Sequence, residues 1–162
     1  MADVSIVTIN YNNAPGLRRT IESVLSQRCG DVEYLVIDGG STDGSREVIG
    51  EYATHLAWSV SEPDRGIYHA MNKGIGRATR TYLLFLNSGD SFNGPDALGT
   101  LLAGSHGEDI VYGDLVFQDA QKTWIHTYPS TLSFNHFRTS ALPHPASLIK
   151  RSLFTSAHGY DE

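Results

Sequence analysis

The sequence predicts an α/β fold in which helices flank a mostly parallel central sheet. Up to about residue 105, short apolar segments alternate with segments whose apolar residues recur at helical spacing. After about Gly107 several short strand-like segments follow one another through tight turns, which adds a small antiparallel part. At 162 residues, with 40% hydrophobic and 19% charged side chains, the chain is large enough for one globular domain with a sizeable core.

The strands of the first half are short runs of apolar and β-branched residues. The run at 4–9 opens the chain and has the continuous apolar character of a buried strand. The runs at 34–37 and 82–86 are equally apolar, and an acidic, glycine-bearing turn follows each of them. A fourth run at 56–60 lies between these two. Four strands are therefore predicted, at 4–9, 34–37, 56–60 and 82–86.

A helix is predicted after each of these strands. Asparagines at 12 and 13 with Pro15 supply the cap and first turn of one helix, and Pro95 opens the last. The other two cover 45–52 and 67–78. The strand–helix alternation predicts parallel pairing with helices on both faces of the sheet. The helix residues expected to face the sheet are Leu17, Ile21, Val24, Leu25, Val48, Ile49, Tyr52, Met71, Ile75, Ala78, Leu98, Leu101 and Leu102.

The second half is expected to contain strands at 109–114, 115–117 and 123–126, and another apolar strand after Pro145. No repeat and no linker divides the sequence, so residues 1–162 are interpreted as a single domain. The chain closes on Gly-Tyr-Asp-Glu at 159–162, which has the character of the middle of a structure. We therefore expect a domain that is truncated at its carboxyl end.

Composition excludes several classes of function. The net charge of −6 and the absence of a basic block argue against nucleic-acid binding driven by phosphate contacts. The single Cys29 excludes a disulfide framework and a cysteine-rich zinc site, and it fits a reducing compartment. No apolar run approaches the roughly 20 residues of a membrane span, and no secretory signal is visible. A cytoplasmic protein is therefore expected.

The two acidic turns are the main candidates for a ligand site. The first begins at Asp38, which could accept hydrogen bonds from a base or ribose, whereas Asp43 in the same turn is expected to cap a helix. The second ends at Asp90, which could bind a divalent metal together with substrate phosphates; a plain polar turn is the alternative. Because strands of one direction end at one edge of a parallel sheet, both turns point to a nucleotide or metal site there.

Basic residues near these turns could hold a phosphorylated ligand in this acidic protein. Arg65, Asn72 and Lys73 belong to the helix at 67–78 or its start, and Arg77 follows them. His69 is expected to be a surface or hydrogen-bonded histidine. His144 lies between two prolines that fix its backbone; it either contacts an acceptor or the donor phosphates, or serves the structure alone.

Five segments form an ordered set along the chain: Val-Ser-Ile-Val-Thr-Ile-Asn-Tyr-Asn at 4–12, Asp-Gly-Gly-Ser-Thr-Asp at 38–43, Ser-Glu-Pro-Asp-Arg-Gly-Ile-Tyr at 61–68, Asn-Lys-Gly at 72–74 and Leu-Asn-Ser-Gly-Asp at 86–90. Taken together, these segments resemble the family 2 inverting glycosyltransferases of the GT-A fold, and in particular their bacterial exopolysaccharide (colanic-acid-type) branch. The resemblance covers nearly the whole chain, and the ordered set is more specific than any one motif.

The resemblance implies a nucleotide-sugar-binding half at 1–105 and an incomplete acceptor-binding half at 106–162. It implies that Asp90 binds the Mg²⁺ or Mn²⁺ that bridges the donor diphosphate; Asp90 is the lone carboxylate where the family motif is usually richer in aspartates. The catalytic base is expected beyond Glu162, and His144 is placed on the acceptor side. The donor-binding residues it implies are Thr8, Asn10, Tyr11, Asp38, Asp64, Arg65, Asn72 and Lys73.

The function that follows is inverting transfer of a sugar from a nucleotide sugar to a saccharide or lipid-linked saccharide of a cell-surface polysaccharide. The enzyme is then expected to work at the inner face of the membrane, and uncovered apolar surface favours a homo-oligomer. One alternative is a sugar-nucleotidyltransferase, which needs a glycine-rich basic loop after the first strand; Asn10–Asn13 does not supply one. The other is a non-catalytic nucleotide-sugar-binding module.

Overall fold

The computed structural model of the chain describes residues 3–131, 133, 138 and 140–162. Short 3₁₀ turns occur at Ala53–His55 and His144–Ala146. The strands are β1 Val4–Asn10, β2 Glu33–Asp38, β3 Trp58–Ser61, β4 Tyr82–Phe85, β5 Ile110–Tyr112, β6 Leu115–Gln118, β7 Thr123–His126 and β8 Ser147–Lys150. The helices are α1 Ala14–Leu25, α2 Ser45–Glu51, α3 Ile67–Arg77, α4 Ala97–Ala103 and α5 Arg151–Ala157.

The main sheet has six strands in the order β3-β2-β1-β4-β8-β5. The first four are parallel, whereas β8 runs antiparallel to both β4 and β5. The antiparallel pair β6–β7 forms a separate hairpin. The register places Asn10 opposite Asp38 and Asp38 opposite Ser61, so three polar side chains share one row at the carboxyl edge.

Two hydrophobic clusters cover the faces of the sheet, as the strand–helix alternation predicts. The cluster on one face joins apolar residues of β1, β2 and β4 with those of α1, α2 and α4, and Leu17 and Ile21 are fully buried in it. On the other face α3 and α5 pack against the same strands through Met71 and Phe154. Helix α3 approaches β1 so closely that a Cβ at Gly74 would lie 2.5 Å from Val7 Cγ1.

The predicted fold class, a mostly parallel sheet flanked by helices with a small antiparallel part, is confirmed. Some details were wrong. Leu25 is 38% exposed because its position lies roughly 100° from the middle of the buried stripe of α1. Strand β3 begins only at Trp58, because a 3₁₀ turn precedes it. Strand β5 pairs with β8 in the main sheet rather than with the hairpin, and α5 was not predicted.

Candidate functional site at the carboxyl edge of the sheet

The loop between β1 and α1 ties the two acidic turns together. The backbone N–H of Asn12 donates to Ser41 Oγ at 2.7 Å, and its side-chain Oδ1 accepts from the backbone N–H of Thr42 at 3.0 Å. The neighbouring Asn13 donates from Nδ2 to the carbonyl of Ser88 at 3.0 Å. The strand order reverses between β1 and β4, and crevices at such reversals are where open α/β sheets bind ligands.

Asp38 is fully buried, and protein groups occupy both of its carboxylate oxygens. Oδ1 accepts from Asn10 Nδ2 at 2.7 Å and from Ser41 Oγ, and Oδ2 accepts from Ser41 N at 2.9 Å and from Ser61 Oγ. Burial raises the pKa of the Asp38 carboxyl, but the bonds from Ser41, Ser61 and Asn10 outweigh it and bring the pKa below its ordinary value. Asp38 thus organises the turn, and its direct contact with a donor stays a prediction.

Asp43 has the capping role expected from the sequence, and it serves two helices. Its Oδ1 accepts from the backbone N–H and the hydroxyl of Ser45, at the start of α2. Its Oδ2 accepts from the backbone N–H of Ala14, the first residue of α1, at 2.8 Å. One carboxylate therefore joins two helix N-termini, where negative charge is favourable.

Asp64 is the centre of a second cluster, which contains two more of the predicted donor-binding residues. Its side chain is 8% exposed, and Oδ1 lies 2.6 Å from Lys73 Nζ and 2.8 Å from His69 Nδ1. Lys73 also pairs with Glu62 at 2.7 Å. Burial lowers the pKa of the Lys73 ammonium, but the bonds with Asp64 and Glu62 outweigh it and raise the pKa. Exposed Tyr11 lies beside this cluster, next to Gly39.

The turn that carries Asp90 is held by a hydroxyl of α1. Thr20 Oγ1 is fully buried, lies 2.7 Å from the carbonyl of Asp90, and accepts the backbone N–H of Gly89 at 2.9 Å. The carboxyl of Asp90 is half-buried, and burial raises its pKa. A cation bound beside Asp90 would stabilise the charged form of this carboxyl.

The residues of this turn suit a hard divalent cation. Beside Asp90, the amide oxygen Oδ1 of Asn87 is buried and has no hydrogen-bond partner within the described ranges. Mg²⁺ and Mn²⁺ favour such oxygen ligands and are often held by one or two carboxylates plus substrate phosphates. Within the part of the chain that the structure describes, no three His, Cys, Asp or Glu side chains cluster as metal ligands.

Arg65 and Asn72 contact the carboxyl-terminal residues rather than the acidic turns. Asn72 Nδ2 donates to the Tyr160 carbonyl at 2.9 Å, its Oδ1 accepts from Tyr160 N at 2.8 Å, and Arg65 pairs with Glu162. His144 Nε2 lies 3.4 Å from Tyr160 Oη, and burial lowers the pKa of its ring. These residues form a group around the end of the chain, which lies along α3.

Two further residues singled out in the sequence have protein partners in the structure. Thr8 is fully buried within β1, and its hydroxyl lies 3.0 Å from Tyr34 Oη. Its contact with a donor stays a prediction. Arg77, considered as a cation for a diphosphate, lies 4.8 Å above the ring of Trp58, which begins β3. It is therefore at the opposite edge of the sheet.

Sequence reasoning missed the residues that hold the site together. Asn12 and Asn13 were interpreted only as capping residues, and Ser41, Ser61 and Thr20 were not singled out. For Thr20 a signal existed, because a hydroxyl residue interrupts the stripe of Leu17, Ile21 and Val24 on the buried face of α1. For the serines the decisive fact is the pairing register, which a local pattern does not show.

Comparison with known proteins matches this chain to one family. The family model described as Glycosyl transferase family 2 matches residues 5–157. An uncharacterized glycosyltransferase of Mycobacterium tuberculosis is 36% identical over 163 residues, which is 98% of this chain and 62% of that protein. A PGL/p-HBAD biosynthesis glycosyltransferase of Mycobacterium bovis is 36% identical over 126 residues, which is 74% of this chain and 49% of that protein. The chain thus spans about half to three-fifths of these relatives' length.

Solved structures share the fold. The mannosyltransferase PcManGT from Pyrobaculum calidifontis, in complex with GDP-Man and Mn²⁺, superposes with a TM-score of 0.75 at 19% identity, covering 98% of this chain and 47% of its own. S. aureus TarS 1-349 in complex with UDP-GlcNAc superposes with a TM-score of 0.76 at 17% identity, covering 96% and 47%. At such identities the likeness shows the fold alone.

Proposed function

The chain belongs to glycosyl transferase family 2, and on this premise we propose that it transfers a sugar from a nucleoside diphosphate sugar to a saccharide or lipid-linked saccharide with inversion. Residues 1–105 hold the donor, and residues 106–162, with His144, lie on the acceptor side. The observation that carries this proposal is the loop at Asn12 and Asn13, which joins the turn of Asp38 to the turn of Asp90 at the strand-order reversal. A nucleoside and its diphosphate fit across two such turns.

One end of the proposed site offers an aromatic ring for the base, and the other offers oxygen ligands for a metal beside the diphosphate. The ring of Tyr11 is 68% exposed and offers a face on which a base stacks. Lys73 supplies a cation near Asp64, and Asp90 with Asn87 holds a divalent metal. When bound, Mg²⁺ or Mn²⁺ neutralises negative charge on the departing diphosphate. Two of the structural neighbours are complexes with GDP-Man and Mn²⁺ and with UDP-GlcNAc, which supports a nucleotide-sugar donor here.

The reaction is a displacement at the anomeric carbon. The acceptor hydroxyl attacks from the side opposite the diphosphate, a carboxylate base takes its proton, and the bond from the anomeric carbon to the diphosphate oxygen breaks. Attack from the opposite side inverts the configuration. The role of this chain's described residues is to bind and orient the donor so that its diphosphate lies at the turn of Asp90.

The acceptor belongs to a cell-surface polysaccharide or glycolipid, and the enzyme works in the cytoplasm at the inner face of the membrane. This part of the proposal rests on the resemblance of the sequence to the exopolysaccharide branch, and one relative is named as a PGL/p-HBAD biosynthesis glycosyltransferase. Among the described residues no helix has the length and apolar character of a membrane span. Exposed apolar residues of the β6–β7 hairpin, such as Trp124 and Ile125, favour self-association, which light scattering measures.

Calorimetric titration of the Asp90→Asn variant tests the proposal. Wild-type protein should bind UDP or GDP more tightly with Mn²⁺ than with EDTA, whereas the variant should lose this gain and keep its affinity for the plain nucleoside. Asp96→Asn is the matched control, since Asp96 is an exposed acid of the following loop that pairs only loosely with Arg28, at 3.7 Å. If neither nucleotide binds with or without metal, the proposed function is wrong. If Asp90→Asn weakens nucleoside and diphosphate equally, Asp90 does not hold the metal.

A further inference from the structure

A row of five aromatic side chains runs from the β6–β7 hairpin to strand β5. The pairing register sets Phe117 opposite Trp124, and their rings stack with centroids 5.4 Å apart. The ring of His126 lies 6.4 Å from Phe117 and 4.7 Å from Tyr128, which in turn lies 6.5 Å from Tyr112. Phe117 and Trp124 are each 42% exposed. These five residues, called the aromatic row below, therefore present a continuous aromatic surface at the outside of the molecule.

The aromatic row ends in a cavity of about 320 Å³ beside β5. Tyr112 and Tyr128 line this cavity, and cavities of this size bind small molecules in other proteins. Two other lining residues, Glu108 and Asp114, are acids, and no lining residue is basic. Asp114 Oδ1 accepts the backbone N–H of Tyr128 at 3.0 Å, which closes the base of the hairpin at the cavity. Aromatic rings and carboxylates thus meet at one open site.

The cavity reaches the sheet edge that carries the proposed donor site. Strand β8 runs antiparallel to both β4 and β5, so β5 has the direction of β4. The carboxyl end of β5, which Asp114 follows, therefore lies at the same edge as the turn of Asp90. Since β8 separates the two strands, β5 lies roughly 10 Å from β4. The cavity is therefore beside the donor turns without being part of them.

We propose that the aromatic row and its cavity bind a neutral saccharide, namely the sugar units of the acceptor that lie away from the reacting hydroxyl. A sugar ring has a C–H face that carries partial positive charge, which suits the negative face of an aromatic ring. Its hydroxyls are donors, and the Asp114 carboxylate accepts them in charge-assisted hydrogen bonds. Five rings in a row accommodate more than one sugar. This inference rests on the proposed function and names a subsite for its acceptor.

The charges around the cavity favour a neutral saccharide over other occupants. Nucleotides and the anionic lipids of an inner membrane face are negatively charged, and Glu108 and Asp114 repel them. Lys122 lies 4.9 Å from the centre of the Trp124 ring at the tip of the hairpin and is not among the residues that line the cavity. The opposite face of the hairpin carries Val116 and Ile125, which face each other across the strands and leave that face for self-association.

Tryptophan fluorescence tests this inference without any nucleotide. The chain has two tryptophans, and Trp58 lies in β3, at the other end of the main sheet from β5. Trp58→Phe protein therefore reports on Trp124 alone. Its fluorescence should respond to at least one of β-1,4-mannotriose, cellotriose and chitotriose, whereas Trp124→Phe protein, which keeps Trp58, should not respond. Trimannuronate, the acidic counterpart of mannotriose, should bind at least about tenfold more weakly than the best neutral trisaccharide.

Two variants in the Trp58→Phe protein test the contacts. Phe117→Ala should weaken the best trisaccharide about three- to tenfold, because it interrupts the aromatic row. Asp114→Asn should weaken it about tenfold and reduce the discrimination against trimannuronate, because a charge is removed while the amide oxygen can still accept from Tyr128. Ile125→Ala is the matched control, since Ile125 lies on the opposite face of the same hairpin and is 64% exposed; it should bind as the parent does.

Circular dichroism checks that each variant is folded. The inference is overturned if no neutral trisaccharide changes the fluorescence of Trp124, or if neither Phe117→Ala nor Asp114→Asn binds more weakly than Ile125→Ala. It is also overturned if Trp124 responds only to phosphatidylcholine vesicles or to protein concentration, which would assign the face to a lipid surface or to a second copy of the chain. In each case Mn²⁺-dependent binding of UDP or GDP would leave the proposed function intact, and its absence would count against that function alone.

Discussion

Replacing Thr20 by valine removes one hydroxyl with little change of volume, and it tests whether α1 positions the turn of Asp90. The Thr20 hydroxyl lies 2.7 Å from the carbonyl of Asp90 and accepts the N–H of Gly89 at 2.9 Å. Other bonds hold the same turn, including those from Asn13 Nδ2 to the Ser88 carbonyl and from Ser88 N to the Ile9 carbonyl. The variant should therefore fold, with a turn that is less well fixed.

The cost follows from the two backbone groups that lose their partner. An unsatisfied buried polar group typically costs about 1–3 kcal/mol. Gly89 and Asp90 are only half-buried, so water can satisfy part of the loss, and about 1–2 kcal/mol is expected. For a chain of this size each kcal/mol lowers the melting temperature by about 2–4 °C, which gives a decrease of roughly 2–8 °C.

Thermal unfolding and Mn²⁺-dependent UDP binding are the two measurements. In Thr20→Val the less well fixed turn should weaken metal-dependent UDP binding. Thr20→Ser keeps the hydroxyl and should bind UDP as wild-type protein does. Thr20 Oγ1 also lies 3.0 Å from the carbonyl of Gly16, four residues earlier in α1. Thr100→Val is the matched control, because Thr100 Oγ1 bonds the carbonyl of Asp96 in the same way, but on the exposed side of α4. The reasoning fails if Thr20→Val matches wild-type protein in both measurements, or if Thr100→Val reduces metal-dependent binding equally.

Two further predictions concern packing and pH. Gly74→Ala should lower the free energy of unfolding by about 1–2 kcal/mol, because the added Cβ would lie 2.5 Å from Val7 Cγ1; Gly76→Ala, with open space around it in the same helix, should be neutral or stabilising in urea titrations. Burial lowers the pKa of His144 in the folded protein below its value of about 6.5 in the unfolded chain. The contribution of neutral His144 to the free energy of unfolding should therefore be fully present above about pH 6.5 and should be lost as the pH falls toward the folded pKa. His144→Gln should remove this part of the pH dependence, and an unchanged profile would contradict it.

The fold was largely predictable because apolar periodicity decides which segments become strands and which become helices. The continuous run of β1 and the helical spacing of Leu17, Ile21 and Val24 predicted the central strand and the helix that covers one face of the sheet. The meeting of the two acidic turns was predictable as well, since parallel strands that end in such turns bring them to one edge of the sheet. Leu25 was misplaced because a strongly apolar side chain at the border of a stripe fits either environment.

The roles of the individual carboxylates were not predictable from local sequence. Asp38 follows an apolar strand and has the form of a ligand-binding residue, yet the register sets Asn10 and Ser61 on either side of it. Both oxygens of the Asp38 carboxylate thus accept hydrogen bonds from residues at the same edge of the sheet. Thr20 escaped notice for a related reason, since the backbone groups it bonds lie roughly 70 residues away in sequence.

Asp38, Asp43 and Asp64 differ in how many of their carboxylate oxygens accept hydrogen bonds from the protein. Asp38 has four protein donors, and Asp43 has donors from two helix starts, so neither has an oxygen to spare. Asp64 is as deeply buried as a structural carboxylate, but Lys73 and His69 occupy only one of its oxygens. The other oxygen, Oδ2, is buried and has no hydrogen-bond partner in the described ranges. Of these three aspartates, Asp64 is therefore the one whose carboxylate keeps an oxygen without a protein partner in the described ranges.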